Sequence, residues 1–137
     1  FIAKEKNIEL TTKKLTNSSG YKNKVSVKIT NAKGVKTISG TVFGEDVQRV
    51  VDLDGFVIDV EPKGKMIIMK NKDIPGVVGK VGNILGENGI NISDFRLSRG
   101  KEGTALAVIL IDEKANSKVT SELDNLEASI AVAYAEI

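Results

Sequence analysis

The residues best suited to chemistry lie in two short stretches, residues 70–79 (KNKDIPGVVG) and residues 88–92 (NGINI). The first sets Asn71 and Asp73 at the end of a strand and Pro75-Gly76 at the start of a helix. The first backbone N–H groups of a helix have no internal acceptor and lie at the positive end of the helix dipole. Such a place accepts a carboxylate readily. Asp73, close by, can hold an ammonium group. Acceptors for both charges side by side suit an α-amino acid. Asn91 offers a donor and an acceptor at the start of the next strand. A plainer reading also fits these residues: Asp73 only stabilises the helix start, and Asn91 only supports a turn.

Other candidates are weaker. Gly76, Gly79 and Gly82 follow a strand and open a helix, but their spacing is G-x-x-G-x-x-G rather than the G-x-G-x-x-G of a dinucleotide site. Gly79-Lys80 is followed by Val81, not by the Ser or Thr of a phosphate loop. The better expectation for Gly79, Gly82 and Gly86 is a helix face that approaches another backbone closely, such as a neighbouring helix of a second subunit. Each glycine costs up to ~1 kcal/mol of helix propensity relative to Ala. Asp52, Asp54 and Asp59 form no catalytic pair and are expected in water. Arg49, Lys63 and Lys65 could gather into an anion site, although a solvated surface is the simpler expectation.

The chain has 137 residues, no Cys and no His. Disulfides, thiolate chemistry and imidazole catalysis are excluded, and so are the usual ligands of zinc. Residues 1–63 carry eleven basic and eight acidic side chains, and residues 64–137 carry nine and ten. Neither half has the basic face that nucleic acid requires. No apolar run is long enough to span a bilayer. A cytoplasmic location fits the absence of Cys.

The elements that must position the candidates change character near residue 62. Residues 25–29, 35–43, 49–53 and 56–60 carry strand signals, and the Asp54-Gly55 dipeptide marks a tight hairpin. In that hairpin Leu53 is expected opposite Phe56, and Val51 opposite Ile58. Residues 16–24 look like a polar loop, and residues 1–8 like the last turns of a helix, as if the chain were part of something longer. Beyond Pro62-Lys63-Gly64 the pattern predicts strand 65–70, a helix with Pro75 at its first position and Asn88-Gly89 as its cap, and strands 90–97 and 104–111. A helix over 117–127 and a strand over 130–137 complete it. The order βαββαβ predicts a four-stranded antiparallel sheet with both helices on one face. Two domains are therefore expected, residues 1–61 and 62–137.

The Asp73–Val77 run, the G-x-x-G of Gly79–Gly82 and the N-G-I-N-I of Asn88–Ile92 resemble the ACT family of regulatory ligand-binding domains. Residues 40–44 (GTVFG) and the hairpin 49–60, followed by that ACT start, resemble the C-terminal regulatory region of the D-3-phosphoglycerate dehydrogenase family. Residues 1–61 look like the second half of its intervening domain. The same domain order occurs in bacterial L-serine dehydratases.

The resemblance implies an α+β architecture: a ferredoxin-like ACT domain preceded by a mostly β, partly truncated α+β domain. It implies homo-oligomers made by ACT pairing, with L-serine bound at the seam. Asn71 and Asp73 of one subunit, backbone near Gly76 and Val77, and Asn91 of the other subunit would form that site. Arg49 and Lys65 would be candidates for a second, anionic effector. The parent enzyme would use NAD, through a domain outside this chain. The chain itself would catalyse nothing and need no cofactor. The competing readings are a purely structural oligomerisation module and the regulatory part of an L-serine dehydratase.

Overall fold

A computed structural model of the chain describes residues 9–16, 23–32, 34–44 and 46–137. The chain divides into two compact units, residues 1–62 and 63–137. The helical reading of residues 1–8 and most of the loop reading of 16–24 fall outside the described residues.

The first unit contains an antiparallel meander in the order β1-β2-β3-β4-β5. Its strands are β1 (Glu9–Thr16), β2 (Asn23–Asn31), β3 (Gly34–Phe43), β4 (Val47–Leu53) and β5 (Phe56–Val60). The sequence patterns revealed all of these except β1. The β4–β5 turn places Asp54 at φ 50° and Gly55 at φ 83°. Both centres of the turn are left-handed, which is what the Asp-Gly pair accommodates. Leu53 does pair with Phe56, as expected. Val51 does not pair with Ile58, because the register slips between Val50 and Asp52. The single Val51 of β4 stands against two residues of β5, Ile58 and Asp59, which is a bulge on β5. Val51 and Ile58 are still buried, together with Phe56 and Val60.

The carboxylates of this hairpin are structural rather than merely solvated. Asp52 Oδ1 accepts the Gly55 N–H at 3.0 Å, and Asp54 Oδ1 accepts the Thr37 N–H at 2.7 Å. Lys36 Nζ lies 2.9 Å from Asp54 Oδ2.

The second unit is the βαββαβ arrangement. It runs β6 (Lys65–Lys72), α1 (Val77–Glu87), β7 (Ile92–Arg99), β8 (Thr104–Ile111), α2 (Ser117–Asp124) and β9 (Ser129–Glu136). The sheet order is β7-β8-β6-β9, with every neighbour antiparallel. Ile67 and Met69 of β6 and Ala107, Ile109 and Ile111 of β8 form one core with Val81, Leu85, Val119 and Leu123 of the helices. Each large aliphatic side chain fully removed from water there contributes about 1.5–3 kcal/mol. β8 is buried along almost its whole length, on both faces. That matches its unbroken apolar run, TALAVILI.

Three expectations are corrected. Pro75 is not the first helical residue: Gly76 is the N-cap, in the left-handed region at φ 87°, and α1 begins at Val77. The chain needs that glycine to turn sharply out of β6, which leaves Pro75 two positions before the first helical residue. Next, α2 ends at Asp124 rather than residue 127. Leu126 nevertheless packs on the core, from the turn that follows. Finally, among the described residues Gly79, Gly82 and Gly86 approach no other backbone, since a Cβ at any of them would meet nothing within 4 Å.

Other local signals behave as their chemistry dictates. Gly89 sits at φ 69°, its N–H bonded to Gly86 O at 3.0 Å and the Ile90 N–H to Leu85 O at 2.9 Å. This pair of bonds closes the end of α1. Asn116 caps α2, its Oδ1 accepting the Val119 N–H at 3.1 Å.

Candidate functional site

The strand order brings the candidate residues together. Asn71 of β6 pairs with Ala105 of β8, and Ala105 in turn pairs with Arg99 of β7. One end of the sheet thus carries Asn71, Arg99 and, just past β6, Asp73. The N-terminus of α1 opens onto this same end. Its N-cap, Gly76, has no side chain to bond the first N–H groups. Those donors are left for another acceptor.

Two adjoining cavities occupy this corner. The larger, about 410 Å³, is lined by Asp73, Pro75, Gly76, Val77, Leu97 and Arg99, among others. The smaller, about 40 Å³, is lined by Asn71 and Asp73 and by apolar residues that include Met69, Val81 and Phe95. Asp73, Ile74, Val77, Val78 and Leu97 border both. Four of the five residues expected for the effector therefore meet at one corner: Asn71, Asp73, Gly76 and Val77.

Asp73 does not cap the helix. Its N–H donates to Gly103 O at 2.8 Å, and its Oδ2 lies 3.1 Å from Arg99 Nε. Arg99 is the residue that sequence reasoning missed. It sits at the edge of a turn and becomes a site residue only because β8 bridges β7 to β6. Asn71 is 3% exposed, and its Nδ2 donates to Lys72 O at 2.7 Å.

Asn91 lies at the other end of the sheet, immediately before β7, where Ile92 pairs with Ile111. Its Nδ2 donates to Asp112 Oδ2 at 2.7 Å and its N–H to Glu113 Oε2 at 2.6 Å. Within one chain it is a strand's length, roughly 20 Å, from the corner that holds Asp73. Arg49 is paired with Asp59 at 3.2 Å. Lys65 Nζ donates to Asp112 O at 2.9 Å. Each of these two cations thus has a partner inside its own unit. Among the described residues no group of His, Cys, Asp and Glu could hold a metal ion, and no helix is long and apolar enough to cross a membrane.

The second unit is thus a ferredoxin-like βαββαβ unit whose open helix N-terminus stands beside an aspartate. Residues 65–128 match the ACT domain, and residues 1–54 match the D-3-phosphoglycerate dehydrogenase intervening domain. The chain carries the paired intervening and ACT domains of the D-3-phosphoglycerate dehydrogenase family and belongs with its regulatory region. It is 35% identical over 132 residues to the D-3-phosphoglycerate dehydrogenase of Bacillus subtilis, covering 96% of this chain and 25% of that protein. The enzyme of the same name from Archaeoglobus fulgidus is 29% identical over 139 residues, covering 99% and 26%. That from Synechocystis is 29% identical over 133 residues, covering 96% and 24%. The chain spans about a quarter of the length of these relatives.

Proposed function

We propose that this chain is the effector-binding and oligomerising part of a D-3-phosphoglycerate dehydrogenase, and that L-serine binds where two ACT domains meet. The first unit is then the second half of the intervening domain, and residues 62–137 are the ACT domain. The parent enzyme would oxidise 3-phosphoglycerate with NAD, on residues this chain does not contain. Serine, as the end product, would report on the need for that reaction.

The observation that carries the reading is the placement of Asp73 and Asn91 at opposite ends of one sheet, beside an edge strand. Among the described residues β7 is an edge, bonded to β8 on one side only. Two copies joined antiparallel along β7 would form a single eight-stranded sheet. A two-fold axis between them puts the start of each β7 against the end of the other. Asn91 of one copy then reaches the corner that holds Asp73 and Asn71 of its partner. The ammonium group would meet Asp73, and the carboxylate the free N–H groups at Gly76 and Val77. Binding across the seam favours whichever arrangement of subunits closes it, and this is the coupling that allostery requires.

The test is complementation between two variants, each lacking one half of the site. Asp73→Ala and Asn91→Ala should each dimerise and bind no serine. Mixed and exchanged in equal amounts, they should regain about a quarter of the wild-type sites, because half the dimers are hybrid and each hybrid has one intact site. Calorimetry counts the sites and sedimentation checks the dimer. Absence of recovery in confirmed hybrids would refute a shared site. No binding by the wild-type dimer would leave the purely structural reading.

A further inference from the structure

Phe95 of β7 packs on the helix-side core. The ladder from Asp94 to Arg99 runs along β8 without a slip, so Asp94 and Arg96 both point to the other face of the sheet. Arg96 Nε lies 2.9 Å from Asp94 Oδ2, and the two side chains keep 44% and 36% of their exposure. Residues two apart on one strand stand roughly 6.5 Å apart, whereas residues directly opposite on a neighbouring strand have Cβ atoms about 4.5–5.5 Å apart. A second strand laid against this edge thus offers each charge a nearer partner than its own strand does.

Two β7 strands joined antiparallel about a two-fold axis have few registers open to them. Directly opposite residues point to one face, so only slips of an even number of places keep the helices of both copies on the same side. In one such register Phe95 lies on the axis, against its own copy. Asp94 of each chain then stands opposite Arg96 of the partner subunit, so the seam holds two opposed ion pairs. One allowed step in either direction sets Asp94 against Asp94 or Arg96 against Arg96. Unlike charges directly opposite stabilise a sheet and like charges destabilise it. The two phenylalanines add an aromatic pair on the helix side. The same register carries the residues that precede β7, Asn91 among them, to the Arg99 end of the other strand.

We propose that Asp94 and Arg96 exchange partners across the β7 edge and thereby fix the register in which two copies of this chain join. The partner is a second copy because the charge order Asp-x-Arg is complementary to itself about a two-fold axis. This rests on the edge-to-edge reading given above and adds to it the residues that select register and partner. A strand with the reverse order of charges meets like charge at both positions and is rejected.

The experiment is sedimentation of the full chain, as wild type, Asp94→Arg and Arg96→Asp. Either reversal alone places like charges opposite each other twice, and should weaken the dimer at least about tenfold. Mixed in equal amounts, the two variants should form a hybrid dimer close to wild-type strength, because every opposed pair is again unlike. Damage to the fold of one chain is not repaired by mixing. If a reversal fails to fold, the doubly neutral chain, Asp94→Asn with Arg96→Gln, decides instead. Its dimer should be weaker than the wild type and should lose most of the weakening by salt that the wild-type dimer shows. A wild-type dimer that neither reversal weakens overturns the proposal and leaves edge pairing standing. Weakened dimers that mixing does not restore, or a doubly neutral dimer with wild-type strength and salt dependence, also overturn it. A wild-type chain that stays monomeric refutes the pairing itself, and this proposal with it.

Discussion

Arg99 Nε lies 3.1 Å from Asp73 Oδ2, joining the last residue of β7 to the residue that follows β6 on the wall of the larger cavity. Arg99 is largely exposed, at 77%, so the pair resembles other surface ion pairs, worth about 0–1 kcal/mol. It is strong enough to orient the Asp73 carboxylate and weak enough to share it with an incoming ammonium group.

Arg99→Gln should therefore leave stability within about 0.5 kcal/mol of the wild type in urea unfolding. With the competing cation gone, serine affinity should rise, by up to about fivefold in calorimetry. A fall of tenfold instead would assign Arg99 to the ligand's carboxylate.

Leu85 of α1 and Leu123 of α2 are both fully buried in the core that clamps the helices to the sheet. Leu85→Ala or Leu123→Ala should each cost about 2–5 kcal/mol. Denaturant unfolding of the chain, followed by circular dichroism, measures the loss. A cost below 1 kcal/mol would mean that the core closes over the gap.

Two glycines of the same region should respond in opposite directions. Gly89 stands at φ 69°, so Gly89→Ala should destabilise by about 1–2 kcal/mol. Gly82 lies inside α1, where a Cβ would meet nothing within 4 Å. Gly82→Ala should stabilise the chain by about 0.5–1 kcal/mol, through helix propensity alone. Urea midpoints at low protein concentration separate the two. A loss for Gly82→Ala that appears only at concentrations where the chain dimerises would place this helix face in the seam.

Much of the second unit was legible from local rules. The alternation of the strands, the Asn88-Gly89 end of α1 and the apolar run of β8 all follow from nearest-neighbour chemistry, so a linear reading finds them. Asp54-Gly55 announced its hairpin in the same way. What escaped such reading depended on register or on competition between signals. The register slips beside Val51 in both pairings of β4, with β3 and with β5. The start of α1 moved from Pro75 to Val77 because Gly76 takes the left-handed turn that a linear pattern cannot distinguish from a helical first turn.

The site divides along the same line. The sequence by itself determined the types of group available: an acid at 73, amides at 71 and 91, a helix start close after them, and no imidazole or thiol. It also determined that these groups belong to a βαββαβ pattern. Only the tertiary structure decided that Arg99 pairs with Asp73, that Asn71 keeps one acceptor buried and unmet, and that Asn91 and Asp73 stand at opposite ends of one sheet. The physical reason is strand order. Placing β8 between β7 and β6 sets distances between residues far apart in the chain, and no local preference encodes those distances.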